Sequence, residues 1–100
     1  MSTDASFVQY ICELLRPLGT IRTKKMFGEY GVYCNEVFFA LICDGTLYFQ
    51  IDETIASEFE ELEPPYPGAK PAGKATADIL ENPEELLRLA KISYLYKKHK

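Results

Sequence analysis

The sequence lacks most of the residues on which catalytic and metal sites depend. It has no tryptophan and a single histidine, His99, at the last but one position of a lysine-rich tail. No Ser/His/Asp or Cys/His arrangement, zinc-ligand spacing or phosphate loop is evident. A carboxylate pair stays open, because the sequence cannot place acids such as Glu29 and Asp44 relative to one another. We expect a non-enzymatic protein with no cofactor, no metal and no catalytic residue.

Cysteine and long apolar runs are also scarce. Cys12, Cys34 and Cys43 are odd in number, have no CxxC spacing and lie within apolar patterns, which predicts reduced core side chains. A redox pair would require two of them within roughly 7 Å between Cα atoms. No secretory segment follows Met1, and no apolar run approaches the roughly 20 residues that span a bilayer. We therefore expect a cytoplasmic protein without membrane contact.

Positive charge is in deficit. The formal net charge is -4, which opposes binding to nucleic-acid phosphates, because that affinity comes largely from Lys and Arg. Two basic clusters remain. The first comprises Arg22, Lys24 and Lys25, and the second comprises Lys97, Lys98 and Lys100 near the C-terminus. A charged sheet edge and a helix C-terminus explain them structurally. Weak nucleic-acid binding through the first cluster is an alternative hypothesis.

The sequence does contain enough apolar material for one core. Its 100 residues are 47% hydrophobic and 26% charged, which is typical of a single globular domain over 1–100. The stretch 26–52 is aromatic-rich, and the turn signals Asn35-Glu36 and Asp44-Gly45 divide it into three apolar runs. This pattern predicts an antiparallel β-meander, preceded by an edge strand over 20–26.

The two turns also predict which side chains share a face of the sheet. The predicted core face carries Gly31, Tyr33, Phe38, Ala40, Ile42, Leu47, Phe49 and Ile51. The opposite face carries Val32, Cys34, Val37, Phe39, Leu41, Cys43, Thr46, Tyr48 and Gln50. This second face is only half polar, and a monomer rarely exposes a large apolar patch, so it needs a cover from the chain or from another subunit. Phe39, Leu41 and Tyr48 are its candidate interaction residues.

Helices are expected at both ends of the chain. Ser2, Thr3 and Asp4 are N-cap candidates for an amphipathic helix that should end near Arg16, before a proline. The run Asn82-Pro83-Glu84-Glu85 combines an Asn cap with proline at the first helical position, and it should begin a largely apolar final helix.

The stretch between the meander and the final helix is acidic and then rich in proline. Ile55, Phe59 and Leu62 recur at helical spacing and predict a shorter middle helix. The segment 64–74 holds four prolines and two glycines, which predicts a loop whose unusual length is compatible with a function. The range 75–80 is compatible with a last short strand.

The segment Phe27-Gly28-Glu29-Tyr30-Gly31 places two glycines three residues apart between strands. Glycine there permits a positive φ, a bulge or a close backbone approach. A small-ligand loop near Gly28–Gly31 is the functional alternative, although the phosphate-loop lysine and the GxGxxG spacing are missing.

The central stretch resembles the signature of the TfoX N-terminal domain, from the TfoX/Sxy family. The likeness lies in Met26-Phe27-Gly28-Glu29-Tyr30-Gly31-Val32-Tyr33, then Phe39-Ala40-Leu41, Leu47-Tyr48-Phe49 and Asp52. The resemblance implies a two-layer α+β domain with an antiparallel sheet, and it brings no catalytic residues. Its motif positions have mainly structural explanations, and they are Met26, Phe27, Gly28, Tyr30, Gly31, Phe39, Ala40, Leu47, Tyr48 and Phe49.

The resemblance also implies a biological setting. Full-length members of that family are bacterial regulators of natural competence that are thought to act with the cyclic-AMP receptor protein, and they carry a second, C-terminal domain. This chain resembles a stand-alone version of the first domain. We therefore predict a regulatory or protein-interaction module that meets a protein partner or a second copy of itself through the second sheet face or the final helix.

Overall fold

The chain forms a mixed α+β structure in which helices pack on one face of an antiparallel sheet. The computed structural model describes residues 3–26 and 29–99. The helices are α1 (Ala5–Leu15), α2 (Ala77–Leu80) and α3 (Pro83–Lys98), with 3-10 turns at Arg16–Leu18 and Ala56–Glu58. The strands are β1 (Ile21–Met26), β2 (Glu29–Cys34), β3 (Val37–Cys43), β4 (Thr46–Phe49), β5 (Leu62–Glu63) and β6 (Ala72–Lys74). The cap candidate Ser2, the motif positions Phe27 and Gly28 and the basic residue Lys100 lie outside the described ranges.

The sheet extends the predicted meander on one side. Among the residues that the structure describes, six strands follow the order β1-β2-β3-β4-β6-β5, so β1 is an edge strand, as predicted. We call the face packed against α1 and α3 the inner face, and the opposite face the outer face. The proline-rich segment 64–71 joins β5 to β6 at the far edge.

Local signals at turns and helix starts are confirmed. Asn35 and Glu36 have φ of 49° and 68°, and Asp44 and Gly45 have φ of 50° and 73°, as type I′ hairpin turns require. The second turn sets the register predicted for β3 and β4, with Ala40, Ile42 and Cys43 paired to Phe49, Leu47 and Thr46. Asp4 caps α1 and Asn82 caps α3, each by accepting a backbone N–H.

A bulge in β3 changes the faces that turn spacing alone predicts. Ala40 lies opposite Val32 and Phe38 lies opposite Tyr33, so Phe39 is an extra residue between the two pairs. An extra residue reverses the alternation of side chains beyond it. Phe39 is therefore fully buried in the inner core. Phe38 lies on the outer face beside Tyr33, with their ring centroids 5.3 Å apart.

Several predicted faces are consequently wrong. Phe39, Val32 and Cys34 belong to the inner core rather than to the outer face, and Val37 packs against the same core. Phe38 and Tyr33 pair as predicted, but on the outer face. Gly31 lies opposite Leu41 and not Ala40, because the extra residue in β3 displaces the register by one.

Ser93 of α3 holds the helix against the bulge. Its side chain is completely buried, and its hydroxyl oxygen lies 3.1 Å from the carbonyl oxygen of Phe39 and 2.6 Å from that of Gln50. The Gln50 N–H also donates to the Phe39 carbonyl at 2.9 Å. Because a bulge interrupts the regular ladder of hydrogen bonds, the single O–H of Ser93 supplies a donor to the backbone carbonyls at the point of irregularity.

The segment after β4 differs from its prediction. The middle helix is reduced to the 3-10 turn Ala56–Glu58, and the chain then becomes extended as Phe59 inserts its ring over Gly73 of β6. That contact, together with the pairing of β5 to β6, outweighs the helical spacing of the apolar residues. The predicted strand over 75–80 is also wrong, because Thr76 caps α2 there and the strand is Ala72–Lys74.

Candidate functional site

The outer face carries an apolar cluster that is separate from the inner core. Cys43, Tyr48 and Ala72 are buried there, and Leu41 packs against them while remaining partly exposed. The segment 64–71 borders this face along one side and therefore covers the apolar cluster only in part. The space between the sheet and that segment is a groove, which we call the outer groove. Its floor and wall include Met26, Glu29, Leu41, Cys43, Asp44, Pro65, Tyr66 and Pro67.

The close approach of Met26 to Gly31 forms part of the groove floor. A Cβ atom at Gly31 would lie 2.7 Å from Met26 Cε and 3.0 Å from Phe38 Cε1. Glycine therefore leaves the space in which the Met26 side chain crosses the sheet. Gly31 therefore has a structural role, in which neighbouring side chains lie directly against its backbone.

Two adjoining cavities in the described part of the groove differ in charge. The larger, of about 540 Å³, lies beside Gln50–Glu53 and has both acidic and basic lining residues. The smaller, of about 440 Å³, lies against β2 and the β3–β4 turn; we call it the acidic cavity. Leu41, Pro65 and Tyr66 line both. The groove is thus continuous, and its volume is in the range of ligand sites.

Glu29 is fixed at one end of the acidic cavity. Thr3 donates to Glu29 Oε1 at 2.6 Å, and the Asp44 N–H donates to Glu29 Oε2 at 3.1 Å. The Gly45 N–H donates to the Thr3 hydroxyl at 3.0 Å, so the start of the chain is bound to the β3–β4 turn. Burial raises the pKa of Glu29, but hydrogen bonds from Thr3 and Asp44 lower it by more, and the net shift is downward.

The structure answers the open question of a carboxylate pair. Glu29 and Asp44 do lie together, but through the backbone N–H of Asp44, and both line the acidic cavity. A carboxyl whose pKa is lowered is ionised at neutral pH and is a poor proton donor. The arrangement therefore suits the binding of a positive charge better than proton transfer.

The lowered pKa of Glu29 predicts a pH-dependent contribution to stability. A carboxyl of this kind stabilises the fold above its unfolded pKa of roughly 4.3, and the contribution is lost as the pH falls through the lower folded pKa. We expect Glu29→Gln to destabilise the protein at pH 7 and to differ less from the wild type in acid. Urea unfolding at both pH values measures this, with exposed Glu60→Gln as the control. An equal destabilisation at both pH values would contradict it.

The predicted basic cluster does not form one patch. Arg22 donates to the Glu36 carboxylate at 3.1 and 2.9 Å, and its guanidinium lies 4.8 Å from the centre of the Tyr33 ring. Lys24 and Lys25 are consecutive in β1, so their side chains point to opposite faces of the sheet. Arg22 and Lys24 share the outer face, whereas Lys25 lies on the inner side.

The remaining basic and glycine positions are placed as follows. Lys97 lines the larger cavity, and Lys98 lies 5.8 Å from the centre of the Tyr94 ring. Gly28 lies outside the described residues. Of the other positions in the predicted ligand loop, Glu29 lines the acidic cavity.

The cysteines are free thiols, in agreement with their sequence pattern. Cys34 lies in the inner core, Cys12 is partly buried, and Cys43 lies in the floor of the outer groove. Burial raises the pKa of all three thiols, which keeps them protonated near neutral pH.

Across 3–26 and 29–99, no three His, Cys, Asp or Glu side chains are grouped so that they could hold a metal ion. None of the helices described there combines the length and the apolar character needed to cross a membrane.

Sequence reasoning found part of the groove. Leu41 and Tyr48 lie on the outer face as predicted, while the candidate Phe39 is a core residue. The roles of Glu29, Tyr66 and Met26 were missed. The unusual length of the proline-rich segment was the available signal, but the sequence does not indicate the face against which that segment folds.

The chain is similar in sequence to known proteins. Residues 13–96 match the sequence model of the TfoX N-terminal domain. The chain is 33% identical over 93 residues to an uncharacterised 12.7 kDa protein in the trpE 5′ region of Spirochaeta aurantia, covering 89% of this chain and 81% of that protein. It is also 29% identical over 89 residues to protein Sxy of Escherichia coli strain K12, covering 81% of this chain and 43% of Sxy.

The family match includes the meander, the residues that line the acidic cavity, the last three residues of α1 and most of α3. The chain spans less than half the length of Sxy, so the likeness concerns one part of that protein. The chain belongs to the TfoX N-terminal domain family.

Proposed function

We propose that this domain is a non-enzymatic interaction module, similar to part of a competence regulator, and that it binds a protein partner through the outer groove. The observation that carries the proposal is an apolar floor left open on the face opposite the helices. Leu41 is only partly covered, and Tyr66 in the wall of the groove is 56% exposed. Exposed apolar and aromatic groups that line a groove are typical of interaction sites.

A protein partner suits this surface better than nucleic acid. Glu29 and Asp44 place negative charge at one end of the groove, which would repel phosphate groups. Arg22 is already paired with Glu36, and Lys25 faces away from Lys24. Binding of nucleic acid through Arg22, Lys24 and Lys25 would therefore have to break an existing ion pair and use separate faces of β1.

The absence of enzymatic activity is part of the proposal. Glu29 in the acidic cavity suits binding better than proton transfer, because it is an ionised hydrogen-bond acceptor with two donors already in place. His99 is exposed at the C-cap of α3 and does not line the acidic cavity.

Photo-crosslinking at two matched tyrosines tests the proposal. Tyr66 lies in the groove, whereas Tyr10 lies on α1 and is 46% exposed. A photoreactive phenylalanine analogue at position 66 of the full chain, expressed in bacterial cells, should yield a discrete protein adduct that is absent at position 10. No adduct at position 66, or the same adducts at both positions, would refute the proposal.

The mass of the adduct also separates two kinds of partner. An adduct of twice the mass of the chain would identify a second copy, and sedimentation of the purified protein should then show a dimer. An adduct of any other mass would identify a different protein. Both results keep the groove as the interaction site, because the position of the analogue defines the contact.

A further inference from the structure

We infer that the acidic cavity binds the arginine or lysine side chain of an extended segment of a partner polypeptide, whose apolar side chains occupy the rest of the outer groove. This inference rests on the proposed function and deepens it by naming the chemistry of the partner. It is carried by the charge, the walls and the shape of the groove.

The charge of the cavity selects a cation. Two carboxylates, those of Glu29 and Asp44, line the acidic cavity, and none of its described lining residues is basic. Glu29 has fixed donors on both oxygens, yet an ionised carboxylate offers about four lone-pair positions, so acceptor capacity remains for an incoming N–H group. A charge-assisted hydrogen bond to such a group is stronger than a neutral one.

The walls of the cavity match the rest of a basic side chain. Met26, Leu41 and Cys43 offer an apolar floor, and Pro65 and Tyr66 stand beside it. Arginine and lysine carry aliphatic stems that pack on apolar surfaces while the charged end reaches a polar partner. The aromatic ring of Tyr66 adds a surface over which a cation is favourable.

The shape of the groove favours an extended segment over a compact molecule. The acidic cavity continues into the larger cavity past Leu41, Pro65 and Tyr66, which line both. The larger cavity has Lys70 and Lys97 as well as acids, so it exerts little selection by charge. A linear polypeptide can place one basic side chain at the acidic end and apolar side chains along the remainder.

Short synthetic peptides test this inference on the full chain. One peptide contains Arg and Leu, a second replaces Arg by the neutral isostere citrulline, and a third replaces Arg by Glu. Amide shifts in two-dimensional NMR spectra report the site of binding, and titration reports the affinity. We expect the Arg peptide to shift the amides of Glu29, Leu41 and Tyr66 and to bind at least about tenfold more tightly than the citrulline peptide.

A charge variant of the protein provides a second comparison. Asp44 has positive φ, which asparagine tolerates, so Asp44→Asn keeps the turn while removing a charge. It should weaken binding of the Arg peptide several-fold and leave the citrulline peptide unchanged. Glu60→Gln, at an exposed acid that does not line either cavity of the groove, should alter neither.

The outcomes separate this inference from the proposed function. Equal affinities of the Arg and citrulline peptides at the groove, or tighter binding of the Glu peptide, overturn the inference and leave the groove as an interaction site. Free arginine amide is the control for the polypeptide. If it binds as tightly as the Arg peptide, the inference that the ligand is a polypeptide segment is overturned. Peptide shifts outside the groove, or no binding by any of the peptides, overturn the inference as well. If crosslinking at position 66 also fails, the proposed function falls with it.

Discussion

Phe49→Ala is expected to lower the free energy of unfolding by about 3–5 kcal/mol. The Phe49 ring is fully buried on the inner face, between Phe39 and Phe59, with ring centroids 6.2 and 5.9 Å away. Removing the ring leaves a cavity beside the rings of Phe39 and Phe59. The surrounding β-strands prevent this cavity from collapsing fully. Urea denaturation followed by far-ultraviolet circular dichroism measures the loss, since the sequence has no tryptophan.

Phe38→Ala is the matched control, and it also tests the bulge. Phe38 is only partly buried and lies on the outer face, so its truncation should cost less than about 1.5 kcal/mol. Phe39→Ala, one residue along the same strand, should cost nearly as much as Phe49→Ala. A large loss for Phe38→Ala together with a small loss for Phe39→Ala would mean that β3 has no bulge.

Gly73→Ala is the second substitution with a large expected effect, a destabilisation of about 1–3 kcal/mol. A Cβ atom at Gly73 would lie 2.4 Å from Phe59 Cδ2 and 2.7 Å from Phe59 Cε2. The Phe59 ring is buried against Phe49 and cannot turn aside like the end of a flexible side chain. The cost is therefore steric and would appear as a lower midpoint in urea.

A double-mutant cycle isolates this contact. In the Phe59→Leu background the ring is absent, so Gly73→Ala should cost clearly less than it does in the wild type. Gly45→Asn provides a control in open space, because nothing lies within 4 Å of a Cβ there and asparagine tolerates the positive φ. An unchanged cost in the Phe59→Leu background would show that the ring does not occupy this position.

The elements that could be predicted from the sequence are those fixed by local chemistry. Asn82 followed by proline marks the start of α3, and the residue pairs at the two hairpins adopt the positive φ that type I′ turns need. The pairing near the Asp44-Gly45 turn followed directly, which is why Leu41 and Tyr48 were placed on the correct face.

The elements that were missed depend on contacts between distant parts of the chain. The bulge at Phe39 is supported by Ser93, which lies 54 residues away, and no local pattern indicates it. Likewise, the apolar residues around Phe59 recur at helical spacing. The Phe59 ring nevertheless packs over Gly73, and the chain continues as the strand β5 and not as a helix. Tertiary contacts override local preference in both places.

The candidate site shows the same division. Leu41 and Tyr48 could be assigned to the outer face, because alternation from the second turn fixes their side of the sheet. The other apolar residues that the same reasoning placed there, Val32, Cys34, Val37 and Phe39, belong to the inner core or pack against it. The meeting of Glu29, Thr3 and Asp44 could not, since it joins the start of the chain to the second hairpin. The position of Tyr66 depends on where β5 and β6 join the sheet.

The most direct measurement of the central claim is the affinity of the crosslinked partner for three forms of the full chain. Calorimetric titration of the wild type, Tyr66→Ala and Tyr10→Ala compares two exposed tyrosines that differ in whether they line the outer groove. If the partner binds in the outer groove, Tyr66→Ala should weaken binding about tenfold or more, as truncating an aromatic anchor does. Tyr10→Ala should bind like the wild type. Equal affinities for all three forms would contradict it.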